Sequence, residues 1–298
     1  MEVAEACGPT EGSIGSPAMR IGLSGGSGTA DRAIEQAKQA ESEGFSSLWF
    51  AGATGGDPLV QMALAGRATN SIELGTSVLQ TYTCHPVLQA SRLKAVASAI
   101  GRPATLGIGP SHQMVVERLG FSYEHVGQHI EGYLAAIEPL LAGEIPVLVA
   151  ALGPILLRIA GEQADGTVLW MANAQAVSSH VAPRITRAAS RSGRPAPRIV
   201  AGLPVAVHDD VEEARAAAAE QFAAYGTLPN YQRILEHGGI ESPAEAAVVG
   251  DEAEVERQIV RLFDAGATDV WAAPFVVGAD RSQSRNRTRA LLAELAKR

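Results

Sequence analysis

Gly153-Pro154 closes the stretch A-A-L-G-P, just after the apolar run Pro146 to Ala150. Proline at the first helical position gives up a donor that has no partner there, and glycine lets backbone approach a ligand. The free N–H groups and the dipole of the helix that follows suit a phosphate. Read alone, the motif is better described as an ordinary tight turn. His112 ends G-I-G-P-S-H, at a rim position after a strand, where it either moves a proton near neutral pH or caps the next helix. His125 and His129 stand i, i+4 and could share a metal. The sequence lacks H-E-x-x-H and offers no third ligand, so no metal site is expected. Cys84 lies in a polar turn with no base that can be assigned to it, so an inert, half-buried thiol is favoured over a nucleophile. Trp49 and Trp170 lie at strand ends, where they either line a planar ring or fill the core, the core being at least as good a reading for Trp49.

These residues need a frame. The stretch from Glu73 to Ala90 starts as a strand, Glu73 to Leu79, and ends in His85-Pro86, which reads as a helix start with apolar Val87, Ala90 and Leu93 behind it. Between them is the hydroxyl-rich turn T-Y-T. Further strands are expected at Arg20–Ser24, Leu48–Phe50, Thr105–Ile108, Pro146–Ala150, Thr167–Trp170, Arg198–Val207 and Asp269–Ala273. Helices are expected between them, among them Ala30–Glu43, Val87–Ile100, a long one over Tyr123–Leu141, Asp251–Ala265 and a closing one over Arg289–Lys297. The segment Tyr225 to Val249 reads as irregular, with one or two short helices. Eight strands alternating with helices call for parallel pairing and right-handed crossovers, hence an α/β fold, a (β/α)8 TIM barrel with insertions at its C-terminal rim. An open doubly wound sheet is the alternative. Against it, the first strand–helix turn, L-S-G-G-S-G-T-A, does not match G-x-G-x-x-G. The active site of such a barrel is expected at the C-terminal ends of the strands.

Composition sets outer limits. The chain has 298 residues, is 46% hydrophobic and carries a net charge of −8. One barrel domain over residues 19–298 suits that length. An acidic chain with no basic run argues against nucleic acid and anionic membrane surfaces, and no apolar run approaches the ~20 residues that cross a bilayer. Met1 to Ala18 has no apolar signal region; it reads as a disordered leader or an upstream start codon. The two cysteines, Cys7 and Cys84, give no disulfide framework, which fits a reducing cytoplasm.

Taken in order, several segments resemble the luciferase-like monooxygenase family, the barrel enzymes that use FMN or the deazaflavin F420. They are R-I-G-L-S-G-G at Arg20, E-G-F-S-S-L-W-F at Glu43, I-E-L-G-T-S-V-L at Ile72, C-H-P at Cys84, L-G-I-G-P-S-H at Leu106, A-A-L-G-P at Ala150, A-D-G-T-V-L-W at Ala164, V-G-D-E-A-E-V at Val249 and D-A-G-A-T-D at Asp264. The pattern looks most like an F420-dependent oxidoreductase branch. That resemblance implies a tricyclic ring at the barrel mouth, backed by a bulge with a cis peptide at Ser77-Val78. It implies a phosphate side held by Ala151, Leu152 and Gly153, and His112 near the ring or its ribityl chain. Ser24, Gly52 and Trp170 complete the cofactor-binding set, and His112 is the candidate catalytic residue. The implied activity is hydride transfer between the deazaflavin and a small organic substrate, in a homodimer. The alternatives are an FMN-dependent monooxygenase and a non-catalytic F420-binding protein. The sequence departs from the family in three places. An acidic-residue–His pair after strand two is replaced by Gly52-Ala53, a longer insertion is replaced by the abrupt Gly143-Glu144-Ile145-Pro146, and there is no basic cluster for a polyglutamate tail beyond scattered residues such as Arg158.

Overall fold

The computed structural model describes residues 19–26, 28–52 and 56–298. The expected leader with Cys7 and most of the loop after the second strand lie outside the described residues. Among the described residues there are ten strands: β1 (Arg20–Gly25), β2 (Ser47–Phe50), β3 (Glu73–Thr76), β4 (Leu79–Gln80), β5 (Leu106–Gly109), β6 (Val147–Val149), β7 (Gly166–Trp170), β8 (Arg198–Val207), β9 (Val248–Gly250) and β10 (Asp269–Pro274). All pairings are parallel, in the order β3-β2-β1-β10-β8-β7-β6-β5-β4. The two ends of that list are halves of one strand, interrupted at a cis Ser77–Val78 peptide. Thr105 donates to the Leu74 carbonyl and accepts, through its own carbonyl, from the Thr76 N–H, so the sheet closes on itself. Eight strand positions therefore form a TIM-barrel-like cylinder ringed by helices. β9 pairs only with the upper end of β8, as an added rim strand.

The alternation of each strand divides the apolar residues between two cores. Leu48 and Phe50 of β2 face the helices. Trp49, between them, faces inward with Leu148, Val168, Val200 and Trp271. Two glycines make that interior possible. A Cβ on Gly75 would come within 2.6 Å of the Trp49 ring, and one on Gly202 within 2.1 Å of Trp271. Below the tryptophans, at the N-terminal ends of the strands, Arg198 bonds Glu73 (2.6 and 2.9 Å) and Asp269 (2.9 and 2.6 Å). Arg20 joins the same two carboxylates, and the Arg198 guanidinium sits 5.6 Å over the Trp49 ring. The network closes the bottom of the barrel and leaves the top for chemistry.

Two expectations are corrected here. The helix expected from Tyr123 starts at Val126, because His125 takes the left-handed conformation (φ 55°), which cannot continue a helix; a separate short helix spans Gln113–Arg118. The closing helix is Arg281–Leu295, starting well before Arg289, because the Asp280 carboxylate caps the Ser282 and Gln283 N–H groups of a polar first turn. The stretch read as irregular with one or two short helices holds two, Pro229–His237 and Pro243–Ala246, and adds the strand β9.

Candidate active site

A cavity of about 870 Å³ opens at the C-terminal end of the barrel. One wall is the interruption between β3 and β4. The Thr76 hydroxyl donates to the Gly107 carbonyl at 2.8 Å and accepts from the Gly107 N–H at 2.9 Å. The Ser77 N–H donates to Phe50, and the Gly52 N–H to the Val78 carbonyl. These bonds turn the chain so that Ser77 and Val78 line the cavity. Gly52 supports this wall from behind: a Cβ there would stand 2.6 Å from the Val78 carbonyl oxygen.

A second part of the lining is the turn after β6, two strand positions along the sheet from the Ser77–Val78 break. Ala150, Leu152 and Gly153 line the cavity, and helix Pro154–Gln163 starts from Gly153. Gly153 is extended (φ −94°, ψ 161°) and no side chain caps the helix; a Cβ on Gly153 would meet no atom within 4 Å. The first-turn N–H groups of the helix are thus free for an anion.

Trp170 and Trp271 form the floor, stacked at 5.0 Å with 21° between their planes. The Trp271 Nε1–H and the Ser77 hydroxyl are both buried with no partner, a pair of polar groups with hydrogen bonds left to make. Between the Ser77–Val78 break and the Gly153 turn, after β5, stand Pro110, Ser111 and His112, held by the Tyr123 hydroxyl, which donates to the Ser111 carbonyl at 2.9 Å. The His112 ring lies 5.7 Å from that of Tyr231, and burial holds its imidazole below the usual histidine range, so it is neutral at pH 7. Burial pushes the phenols of Tyr123 and Tyr231 up, leaving both as neutral donors. At the rim stand His125, the Glu131–Arg158 ion pair (2.8 Å), Asn230 and Arg233.

Of the residues expected from sequence, Ser77, Val78, His112, Leu152, Gly153 and Trp170 come together around this cavity. Ser24 is exposed at the end of β1 and does not line it; Gly52 backs the wall; Ala151 is fully buried against the helix-facing core. His125, expected on an outer helix, lines the mouth, because its left-handed turn brings it to the rim. His129 faces another way: it stacks on Tyr82 at 3.9 Å and its Nε2 bonds the Thr81 hydroxyl. Among the described residues no group of His, Cys, Asp and Glu side chains converges as a metal site. Cys84 is half-buried beside the His85 carbonyl and Arg92, away from the cavity. Trp49 is core, its Nε1–H donating to Ser47. The sequence reading missed Trp271, Tyr123 and the Asn230–Arg233 turn. Trp271 lies in the middle of its strand and so lacks the strand-end position that singled out Trp170. Pro229 at the first helical position was the available mark of the helix carrying Tyr231.

Known proteins share this architecture. A 5,10-methylenetetrahydromethanopterin reductase of Methanolobus tindarius is 27% identical over 238 residues, 72% of this chain and 73% of that protein. The structure of the coenzyme F420-dependent tetrahydromethanopterin reductase from Methanopyrus kandleri superposes with a TM-score of 0.77 at 19% identity, covering 94% of this chain and 98% of that one. The FMN complex of the oxygenating constituent of 3,6-diketocamphane monooxygenase from Pseudomonas putida superposes with a TM-score of 0.71 at 18% identity, covering 95% and 99%. The family model for luciferase-like monooxygenases matches residues 15–296. With its closed parallel barrel and its cavity at the strand ends, the chain belongs to the luciferase-like monooxygenase family.

Proposed function

We propose that the protein is an F420-dependent oxidoreductase acting on a small organic substrate. The observation that carries this reading is that two features line one cavity: the Ser77–Val78 projection and, two strand positions along the sheet, the uncapped helix end at Gly153. A planar ring against Val78 with its phosphate-bearing arm reaching the start of helix Pro154–Gln163 suits such a lining, and the unpartnered Ser77 hydroxyl and Trp271 Nε1–H suit a ring with polar edges. Relatives named as methylenetetrahydromethanopterin reductases, one of them from Methanopyrus kandleri, whose tetrahydromethanopterin reductase structure is named as coenzyme F420-dependent, support the deazaflavin over a flavin.

The bound deazaflavin would supply the hydride chemistry; the protein supplies position, dryness and protons. Val78 backs the ring site. The first turn of helix Pro154–Gln163 holds the phosphate by its free N–H groups and dipole. Trp170 and Trp271 seal the floor against water. His112, neutral and lining the cavity, can take a proton from a substrate hydroxyl or donate a hydrogen bond to a substrate oxygen. Tyr123 and Tyr231 remain protonated across the working range and orient polar atoms by donation.

The FMN-dependent alternative is favoured by one observation, the equally complete superposition on a barrel solved with FMN. Titration of the purified protein with each cofactor, followed by fluorescence quenching, separates the readings. Preferential F420 binding is expected; micromolar FMN affinity with no detectable F420 binding would sink the proposal, and F420 binding without turnover of any substrate would favour the non-catalytic alternative. Assembly as a homodimer is part of the proposal. Val60 and Leu64 on helix Pro58–Arg67 and Val87 and Leu88 on the adjoining helix Pro86–Ile100 are exposed apolar side chains that a partner copy would cover. Light scattering giving a monomer mass at micromolar concentration would contradict it. No helix of the described residues is long and apolar enough to cross a membrane.

A further inference from the structure

The turn that presents Leu152 and Gly153 is held from behind by a histidine that the sequence reading did not single out. His180 is only 2% exposed, and its Nε2 donates to the Leu152 carbonyl at 2.8 Å. Its Nδ1 is buried without a partner. A donor at Nε2 fixes the tautomer, so in the neutral ring Nδ1 is an idle acceptor. His180 belongs to a π-helical turn, Val177–Val181, inserted where the helix after β7 begins. Such turns cost hydrogen-bond geometry and recur at functional sites.

The other face of the His180 ring is covered by His237, stacked at 3.7 Å with 19° between the planes. His237 is the last residue of helix Pro229–His237, whose first turns bring Asn230, Tyr231 and Arg233 to the cavity. A second tie lies beside it. The Asn173 amide donates to the Gly238 carbonyl at 3.0 Å while its Oδ1 caps the Ala176 N–H, and a Cβ on Gly238 would stand 2.6 Å from that Oδ1. The turn at Leu152 and the helix that roofs the cavity therefore meet at one buried side chain.

We infer that His180 is a positioning residue that sets the anion-holding turn at Leu152–Gly153 and registers the roof helix Pro229–His237 against it. The inference rests on the proposed cofactor reading for what the turn holds; the tie itself is a property of the protein alone. Apart from the bond to Leu152, nothing in the buried surroundings requires a histidine there, since apolar packing would be served better by a side chain without an unpaired nitrogen.

The test uses His180→Asn, whose amide is too short to reach Leu152; His180→Gln, whose Nε2 can restore the donor; and His237→Ala, a change at an exposed residue that removes the stack and leaves the Leu152 bond. Amide hydrogen exchange on the cofactor-free protein is the first readout. His180→Asn and His237→Ala should each raise exchange in residues 229–237, His180→Asn should also raise it in residues 152–157, and His180→Gln should return both segments toward wild type. Unchanged exchange in 229–237 for both His180→Asn and His237→Ala overturns the tie. F420 titration is the second readout, with about a five- to tenfold loss of affinity expected in His180→Asn and recovery to within about twofold in His180→Gln. Wild-type F420 affinity in a folded His180→Asn protein overturns the positioning role. If the wild-type protein binds neither F420 nor FMN, the cofactor reading falls and takes that role with it, while the exchange data still decide whether His180 joins the two segments. If His180→Asn does not fold, His237→Ala alone decides, and wild-type exchange in it counts against the inference.

Discussion

Replacing Gly153 by Asp separates folding from ligand binding, because the two effects have opposite signs. The backbone there is extended and a new Cβ meets nothing within 4 Å, so the side chain enters open space without strain. Gly153 is the N-cap of helix Pro154–Gln163, a position where Asp is among the best residues and Gly a few tenths of a kcal/mol poorer. The carboxylate also meets the positive end of the helix dipole. Stability should thus stay level or rise slightly. For a phosphate on the same helix end the sign reverses: two like unit charges about 5 Å apart, at an effective dielectric near 20, repel by about 3 kcal/mol, or about a hundredfold in affinity. The new carboxylate would also occupy the N–H groups the phosphate needs. Urea denaturation measures the first effect and cofactor titration the second. Gly153→Asn is the control, matching Asp in size and capping without the charge, and should lose far less affinity. A folded Gly153→Asp protein with wild-type affinity for both F420 and FMN would refute the placement of the phosphate on this turn.

Other perturbations test the frame around the site. Arg198→Met leaves Glu73 and the buried Asp269 with Arg20 as their remaining arginine partner. Breaking a buried charge network by removing one partner costs roughly 3–5 kcal/mol. With Arg20 retained, the lower end applies, a fall in melting temperature of about 6–12 °C in a protein of this size; calorimetry showing no fall would contradict the role of the network. Gly202→Ala forces the Trp271 ring to move, since the Cβ would lie 2.1 Å from Cε2 and ordinary contact begins near 3.4 Å. A destabilisation of about 1–3 kcal/mol is expected from such overpacking, with weakened cofactor binding because the ring is the cavity floor, and an unchanged urea midpoint would show that the tryptophan is loosely held. His112, His129 and His180 are all lowered chiefly by burial. Below about pH 6.5, the ordinary histidine value, the unfolded chain takes up protons that the folded one refuses, so their contribution is fully present above that pH and is lost as the pH falls through the lower folded values. The urea midpoint should therefore drop between pH 7.5 and 5.5, and a flat profile would argue against buried neutral imidazoles.

How much of this was legible in the sequence differs between frame and site. The barrel was readable because strand–helix alternation is a local signal, and the caps at Asp57, His85-Pro86, Asp210 and Asp251 mark helix starts within a few residues. The break at Ser77–Val78 and the Leu152–Gly153 turn were reachable through resemblance, which orders motifs along the chain. Contacts between distant segments carry no such mark. His180 reads as one more residue of a polar helix, yet its ring joins a turn 28 positions earlier to a helix end much later in the chain. His125 was misplaced for a local reason: a single left-handed residue ends a helical pattern that hydrophobic spacing alone extends to Tyr123. Helix Pro229–His237 was left inside an irregular segment because its apolar residues, Ile234 and Leu235, face inward only near its end, while the residues that matter for the cavity are polar and aromatic.

The central claim is that one cavity holds the ring of a deazaflavin against Val78 and its phosphate on the Gly153 turn. Crystals of the protein grown with F420 test it most directly. Density is expected for the planar ring beside Val78 and Trp271 and for a phosphate at the start of helix Pro154–Gln163. F420 bound elsewhere, or bound in the cavity with its phosphate away from residues 152–156, would contradict it.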